Sequence, residues 1–434
     1  MSLFPRRTAA ELAARNSEVP AEALRRAGEI IDRVREGGEA ALRSLTEEFG
    51  ERRRADPLVL DRPALREALD ALSSDDRARL AGVAERITRF ARAQRAALSD
   101  LTVPIPGGTA GHVAVPVESA GCYVPGGRYP LPSSALMTAI PARVAGVSRI
   151  WIATPRPHPM ILAAAALADV DGVLVAGGAH AIAALAFGAG PIPAADVIVG
   201  PGNVYVTAAK QLVSGRVGID MLAGPSELVV LADESADAGL VAADLIAQAE
   251  HDELAVPVLV TTSRGLMENV THELMRQLED LSTAVTARAA LANGGVVLCE
   301  TLDEACHAVD LIAPEHLELL IENAHAVKAR IRHWGAAFVG AGAAEVLGDY
   351  GAGPNHTLPT SRAARFTGGL SVFTFLRIRS WMAVEDAALA STLAEDAEWF
   401  ARIEGLEGHA RAAARRIPAS TGSVGEGTLH RMSS

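Results

Sequence analysis

Residues 149–210 read RIWIATPRPHPMILAAAALADVDGVLVAGGAHAIAALAFGAGPIPAADVIVGPGNVYVTAAK, and this stretch decides the fold. Short apolar runs alternate with longer, alanine-rich apolar segments. We predict strands at 149–153, 172–175 and 197–199, and helices at 159–167, at 179–187 and from about Asn203 through Lys210. Such alternation is typical of a parallel sheet covered by helices, which binds ligands at the carboxyl ends of its strands.

The alternation continues along the chain, with further strands predicted at 228–231, 256–260, 295–299 and 336–339. We therefore predict an α/β protein with two interleaved Rossmann-like parallel-sheet domains, a helical N-terminal segment and a helical C-terminal tail. The N-terminal segment contains a helix over 20–45 that Gly37 and Gly38 end or kink. The expected divisions are 1–115 (N-terminal segment and first part of domain A), 116–222 (domain B), 223–366 (second part of domain A) and 367–434 (tail, helical from Trp381 to Arg402).

Composition narrows the class of partners. The 434 residues carry a net charge of −12, which argues against nucleic acid or an anionic membrane as the main partner. Because the amino terminus has no apolar core and no long apolar tract is free of charges, we expect a cytoplasmic protein without a membrane span. Cys122, Cys299 and Cys306 form no CxxC pair, so reduced, mostly buried thiols are expected, and any metal would need nitrogen and oxygen ligands.

The loop GDYGAGPNH at 348–356 places a carboxylate and an imidazole among three glycines and a proline. Glycines permit close approach of backbone and ligand, and Pro354 stiffens the exit of the loop. Two interpretations are open: a surface turn with one solvated aspartate, or a loop that holds a site.

Two further segments place polar side chains among apolar ones. On the helix predicted over 237–250, Gln248 continues an apolar face and His251 follows it, so both need a hydrogen-bond partner, a ligand or a metal. Glu315 and His316 are adjacent in an extended segment, where neighbouring side chains point to opposite faces, so we expect two separate tasks. Both residue types suit acid–base chemistry near neutral pH.

Two glycine-rich turns are candidates for phosphate binding, and a third glycine-rich segment only imitates a nucleotide site. The backbone amides of Gly177–Gly178 and of Gly200–Asn203 lie at predicted strand ends and could receive a phosphate. The segment from Gly340 to Glu345 imitates a dinucleotide fingerprint but has glutamate in place of the third glycine, so we do not assign it to a nucleotide.

Six motifs occur in one order along nearly the whole chain. They are GPGN at 200–203, AGPSE at 223–227, QAEH at 248–251, APEH at 313–316, GDYGAGPNH at 348–356 and EGLEGH at 404–409. Together they resemble histidinol dehydrogenase. The resemblance implies a homodimeric, zinc-dependent and NAD-linked enzyme that oxidises L-histidinol to L-histidine through a bound aldehyde, with two NAD and one water consumed and one zinc in each subunit.

The resemblance also assigns roles by position. Gln248, His251, Asp349 and His409 match the zinc ligands, which also contact substrate, and the further substrate contacts match Ser226, His316, His356 and Glu404. Glu315 and His316 match the acid–base pair: His316 takes the hydroxyl proton, and Glu315 activates water. Tyr123 and Asn203 match cofactor contacts, together with His180, which stands where the family usually has glutamine. Glu404 and His409 would complete the active site of the partner subunit.

Two other functions remain open. Arg128 and the run from Ala363 to Gly369 resemble a paralogous branch that oxidises sulfonated diols, in which an arginine could pair with an anion. The other alternative is a catalytically silent dimer that zinc stabilises.

Overall fold

The computed structural model describes residues 3–15, 18–126 and 130–417. The chain divides into a larger compact unit, Met1–Ala97 with Pro116–Leu376, and a smaller one, Leu98–Val115 with Arg377–Ser434. None of the described helices combines the length and apolarity needed to cross a membrane. Cys122, Cys299 and Cys306 are buried free thiols, as predicted.

The described strands are β1 (Val59–Asp61), β2 (Leu101–Ile105), β3 (Gly108–Pro116), β4 (Ser119–Tyr123), β5 (Arg149–Ala153), β6 (Gly172–Leu174), β7 (Val197–Val199), β8 (Gly218–Ile219), β9 (Glu227–Ala232), β10 (Val256–Thr261), β11 (Gly295–Leu298), β12 (His316–Leu320), β13 (Ala336–Val339) and β14 (Leu376–Val384). The described helices are α1 (Ala9–Ala13), α2 (Ala21–Glu48), α3 (Arg62–Asp70), α4 (Ser74–Ala96), α5 (Pro132–Ala145), α6 (Pro159–Leu167), α7 (Gly178–Phe187), α8 (Val204–Val213), α9 (Ala238–Ala249), α10 (Arg264–Gln277), α11 (Ala284–Asn293), α12 (Leu302–Ile312), α13 (Ala324–Lys328), α14 (Glu345–Asp349), α15 (Ser391–Ile403) and α16 (Glu407–Ala414).

The first sheet of the larger unit has the order β1-β6-β5-β4-β7-β8. Its strands β4 to β8 are parallel, and β1 joins the edge in antiparallel orientation. After β4 the chain moves to one side through β5 and β6, and then returns to place β7 and β8 on the other side. The carboxyl ends of β4 and β7 therefore flank a topological switch point, where open α/β sheets form their ligand crevice.

The second sheet repeats this plan in the order β11-β10-β9-β12-β13, with all neighbours parallel. Most residues of β9 to β12 are apolar and buried, as parallel strands covered on both faces require, whereas the edge strand β13 is partly buried. The chain enters the fold on this sheet, since the Arg7 amide donates to the Val296 carbonyl at 2.9 Å and Phe4 and Leu12 are buried in its cores. The chain next forms the first sheet, β1 and β4 to β8, and then returns to form β9 to β13 of the second sheet. The predicted α/β fold with two interleaved parallel-sheet parts is therefore confirmed.

Helices α2, α3 and α4 pack against the first sheet. Ala27, Ile31 and Val34 form one buried stripe of α2, in the same core cluster as residues of α7 and α8. As predicted, α2 is interrupted at the glycine pair, where Gly38 has φ 54°. Positive φ costs an L residue steric strain, so glycine is the residue that permits this break.

The prediction of a helix from Trp381 to Arg402 is partly wrong. Residues 376–384 form β14, which pairs with β3 in the three-stranded sheet of the smaller unit, and the helix begins only at Ser391. The physical reason is visible in LRIRSWMAV, where Leu376 and Ile378 alternate with Arg377 and Arg379 at the period of a strand. The predicted tail is helical after this strand, and its residues 418–434 lie outside the described part of the chain.

Candidate active site

The catalytic candidates lie at the amino edge of the second sheet. Glu227 is the first residue of β9 and His316 the first of the adjacent strand β12. The Glu227 amide donates to Oε2 of Glu315 at 3.0 Å, and Nδ1 of His316 lies 3.0 Å from the Glu227 carbonyl oxygen. This cluster therefore lies at the edge opposite to the carboxyl strand ends, where ligands were expected on the first sheet.

The prediction that Glu315 and His316 point apart is also wrong. Oε2 of Glu315 lies only 3.6 Å from Nδ1 of His316. Strand alternation does not separate them because β12 begins at His316, and Glu315 precedes the strand.

The surroundings of His316 determine its tautomer. A carbonyl oxygen only accepts, so Nδ1 carries the proton that is donated to Glu227, and Nε2 of the neutral ring is left as an acceptor. Nε2 is buried and has no hydrogen-bond partner among the described residues. Burial lowers the pKa of His316 to about 4, with the charge of Asp349 opposing the change. The ring is therefore neutral at physiological pH, and the lone pair of Nε2 is buried and accepts no hydrogen bond from the described residues.

The pKa values of two carboxyl groups at this strand edge are raised, whereas that of His316 is lowered. Burial raises the pKa of Glu315 well above its ordinary value, and the charges of Glu227 and Asp349 add to this. Burial likewise raises the pKa of Glu227 to about 7, against a hydrogen bond from the Ser361 amide. Acid and base groups with pKa values displaced in opposite directions are a recurring feature of proton-transfer sites.

A candidate metal centre adjoins this pair. One ligand atom each from His251, Glu345 and Asp349 lies within 4.8 Å of the others. Nε2 of His251 is 3.7 Å from Oδ2 of Asp349, close to the roughly 3.3 Å that separates two donors held about 2 Å from a tetrahedral zinc. Imidazole and carboxylate donors suit zinc, so the residues present fit this ion.

Gln248 belongs to the same cluster. It is fully buried, and with its amide oriented by the hydrogen-bond network its nitrogen donates to both carboxylate oxygens of Glu345, at 2.9 and 3.0 Å. Of the four residues assigned to zinc by resemblance, Gln248, His251 and Asp349 thus lie together, with Glu345 between them.

Sequence reasoning missed the roles of Glu345, Glu227 and Glu318. Burial raises the pKa of Glu345 well above its ordinary value, with the charges of Asp349 and Glu315 contributing, and Oε1 of Glu318 accepts the Glu345 amide at 2.6 Å. Two signals were available. Glu345 stands four residues before Asp349 on one helix, which puts both carboxylates on one face, and Glu318 shares a strand face with His316.

The loop 348–356 packs against other parts of the larger unit, which favours its interpretation as part of a site over that of a surface turn. Nδ1 of His356 lies 3.0 Å from the Asp349 carbonyl oxygen, and its Nε2 is 3.5 Å from the hydroxyl of Ser134 on α5. Gly351 has φ 90°, and a Cβ there would lie 2.4 Å from Val83, so only glycine fits this approach. Ser226, the last residue before β9, accepts the Val256 amide through its carbonyl at 2.9 Å.

The three cofactor candidates lie on the first sheet. Tyr123 ends β4, and its hydroxyl accepts the Gly178 amide at 3.0 Å. His180, in the first turn of α7, has Nε2 2.8 Å from Oε2 of Glu51 and stacks on Phe49 at 5.2 Å between ring centroids.

Asn203, the third candidate, caps α8. Its side-chain oxygen accepts hydrogen bonds from the amides of Tyr205 and Val206.

These contacts correct the expected phosphate site at Gly177–Gly178, and they remove one donor, the Gly200 amide, from the expected site at Gly200–Asn203. The Gly177 amide donates to Glu51, the Gly178 amide to Tyr123, and the Gly200 amide to Asp220 at 2.7 Å. Side chains of the protein already occupy these backbone donors, so they are not free to bind a phosphate.

The remaining candidates belong to the smaller unit. Glu404 follows α15 and His409 lies on α16, and both line one surface pocket with Phe400 and Leu406. The structure therefore brings these two together, within a unit separate from the other site residues. Arg128 lies outside the described residues.

Comparison with known proteins agrees with the motifs. The sequence model of the histidinol dehydrogenase family matches residues 13–417. The chain is similar to the histidinol dehydrogenase of Parasynechococcus marenigrum, at 47% identity over 395 residues that cover 89% of this chain and 90% of that protein. The histidinol dehydrogenase of Thermus thermophilus is 46% identical over 384 residues, which cover 88% of this chain and 92% of its own.

A solved structure extends this similarity to the fold. The crystal structure of histidinol dehydrogenase from Elizabethkingia anophelis superposes with a TM-score of 0.90 at 30% identity, covering 96% of this chain and 98% of that one. The chain therefore belongs to the histidinol dehydrogenase family of oxidoreductases.

Proposed function

We propose that the protein oxidises L-histidinol to L-histidine through L-histidinal, with zinc and NAD, as a late reaction of histidine biosynthesis. The observation that carries the proposal is Nε2 of His316, which is buried and has no hydrogen-bond partner among the described residues, on a ring whose Nδ1 lies 3.6 Å from the carboxyl of Glu315 and 3.6 Å from that of Glu345 in the candidate metal centre. In the balanced reaction, histidinol, one water and two NAD yield histidine, two NADH and three protons.

His316 is the proposed base of the alcohol oxidation. Its neutral Nε2 takes the hydroxyl proton as hydride leaves the carbinol carbon, and the resulting imidazolium is stabilised through Nδ1 by the Glu227 carbonyl. Oxidation of the aldehyde needs water added to its carbonyl carbon. Glu315, once ionised, removes a proton from that water, and the Glu227 amide holds the carboxylate in place.

Gln248, His251 and Asp349, with His409 from the partner subunit, are the proposed zinc ligands, and Glu345 fixes the Gln248 amide. Zinc, when bound, would orient the substrate's imidazole and amine and supply positive charge that favours the ionised form of nearby carboxyls. Ser226, His356 and Glu404 are proposed to contact the substrate.

We propose that NAD binds at the switch point of the first sheet; when bound, it would supply the hydride acceptor for each oxidation. Support comes from topology: Tyr123 ends β4 and Asn203 follows β7, and these strands flank the crevice. His180 lies in the first turn of α7, after β6, where the Gly178 amide reaches the Tyr123 hydroxyl, and it is proposed to act there through Glu51 or by direct contact.

We also propose a homodimer with shared active sites. Exposed large apolar side chains are concentrated in the smaller unit, which also carries Glu404 and His409. They include Met382, Leu389, Trp399, Phe400 and Ile403. An exposed apolar surface of this kind marks an interaction site.

The test is a stoichiometric assay. Purified protein with zinc and excess NAD should convert limiting L-histidinol to L-histidine and form two NADH for each substrate molecule. One NADH, or none, would contradict the four-electron scheme. A sulfonated diol serves as the competing substrate: if it turned over much faster than histidinol and Arg128→Ala abolished that preference, the paralogous activity would replace the proposed one.

A further inference from the structure

Lys210 is an unusual residue in this chain. Of its 40 lysines and arginines only two are lysines, Lys210 and Lys328. Lys210 is 2% exposed and heads the largest fully buried side chains of the described residues. A lysine ammonium is a compact point charge with rotatable donors, whereas the planar arginine fork demands a wider cavity. The position therefore requires a small buried cation, and the proposed chemistry does not use it.

The buried ammonium of Lys210 contacts the backbone of Gly200. Nζ of Lys210 donates to the Gly200 carbonyl at 3.0 Å and forms an ion pair with Oδ1 of Asp220, whose side chain is also buried. The other carboxylate oxygen, Oδ2, accepts the Gly200 amide at 2.7 Å. Both polar groups of the Gly200 backbone are thus held by this ion pair.

Gly200 is also fixed from the opposite side. It has φ 114°, and a Cβ at this position would lie 2.1 Å from the Tyr123 carbonyl oxygen. The ion pair therefore holds the first residue after β7 directly against the last residue of β4. These are the two strand ends that flank the switch point, and three residues further on Asn203 caps α8.

We propose that Lys210 and Asp220 are positioning residues for the dinucleotide, because their buried ion pair fixes the Gly200–Asn203 loop in the conformation that receives it. This inference rests on the proposed function. A buried ion pair gives little net stability, since desolvation offsets its attraction. Its expected effect is on one loop conformation and on cofactor affinity, with the metal centre on the second sheet unaffected.

The experiment compares zinc-loaded wild-type enzyme with Lys210→Met and with the double variant Lys210→Met/Asp220→Asn, which leaves no buried charge unpaired. Lys328→Met is the matched control, because Lys328 is half-buried on α13 beside the other sheet. NAD affinity is measured by titration calorimetry without histidinol. We expect the double variant to raise both the Kd and the KM for NAD at least about tenfold, equivalent to about 1.4 kcal/mol of binding free energy.

Comparing the effect on NAD binding with the effects on histidinol and zinc binding distinguishes loss of loop positioning from general misfolding. The double variant should keep its zinc content and its KM for histidinol, and hydrogen exchange of peptides spanning 197–206 should accelerate by about tenfold. Unchanged NAD affinity in a folded double variant would overturn the inference, as would parallel loss of NAD, histidinol and zinc binding. Failure of the wild-type enzyme itself to bind NAD would instead refute the proposed cofactor, and the inference with it.

Discussion

Glu315 and His316 are both hydrogen-bonded to the backbone of one residue, Glu227, although Glu315 lies 88 positions further along the sequence. The Glu227 amide donates to the carboxyl of Glu315, and its carbonyl accepts from the imidazole of His316. One backbone unit at the start of β9 therefore sets the position of both groups and the tautomer of the ring. Each group can be altered separately, because an amide at position 315 still accepts the Glu227 N–H.

The first prediction concerns Glu315→Gln. Because the hydrogen bond from Glu227 survives, the fold and the alcohol oxidation should be retained, while oxidation of histidinal falls by about 10²- to 10⁴-fold, the usual contribution of a general base. Separate assays with histidinol and with histidinal measure the two steps. Glu322→Gln, an exposed site after β12, is the control. Equal losses in both steps would contradict the division of tasks.

The second prediction concerns Asp349→Ala. The side chain of Asp349 is 14% exposed and its carboxylate adjoins His251, so its removal should release zinc without unfolding either sheet. Bound zinc is measured by elemental analysis after gel filtration, and folding by circular dichroism. The exposed Asp280→Ala variant should keep its zinc. Stoichiometric zinc in the Asp349 variant would remove this residue from the ligand set.

The third prediction tests the shared active site. If His409 completes the partner's site, inactive Asp349→Ala and inactive His409→Ala proteins should regain activity when their subunits exchange. Random exchange makes half of the dimers mixed, each with one intact site, so about one quarter of wild-type activity is expected. Each variant refolded alone is the control. Failure to regain activity despite demonstrated subunit exchange would refute the sharing.

The fourth prediction concerns pH and the metal-free protein. Burial raises the pKa of Glu227 from 4.5 to about 7 in the folded state. The folded state therefore binds a proton more tightly than the unfolded chain, and the resulting stability is complete below about pH 4.5 and lost as pH rises through about 7. Glu227→Gln should lose less unfolding free energy than wild type between about pH 5 and pH 8, by up to about 3 kcal/mol. Urea titrations at each pH measure this, and identical slopes would contradict it.

The fifth prediction concerns His180→Ala. The substitution leaves the Glu51 carboxylate without its imidazole partner and exposes the stacked face of Phe49, so we expect a loss of about 1 to 3 kcal/mol of stability. His180→Gln, which retains a donor, should lose less, and thermal unfolding of the two variants compares them. If His180→Gln altered only NAD affinity and left stability unchanged, direct contact with the cofactor would be the better explanation.

Local patterns were sufficient for most of the strands in the two parallel sheets. Strands such as Arg149–Ala153 and Ala336–Val339 are found where they were predicted, because short apolar runs bounded by glycine and proline have few other ways to bury themselves. The strand at Leu376–Val384 was missed because its arginines and tryptophan obscured a weak alternation. Its partner β3 lies more than 260 residues earlier in sequence, so no local window contains the pairing.

By itself, the sequence determined the α/β class, the interleaved sheets and, through six ordered motifs, the family. Only the tertiary structure decided that Glu345 lies between Gln248 and the metal-binding residues, that Glu315 and His316 meet at Glu227, and that Lys210 holds Gly200. The physical reason is that backbone periodicity is encoded by neighbours in sequence. The pKa of a buried acid or imidazole depends instead on which distant charges and peptide dipoles surround it, and folding alone brings those together.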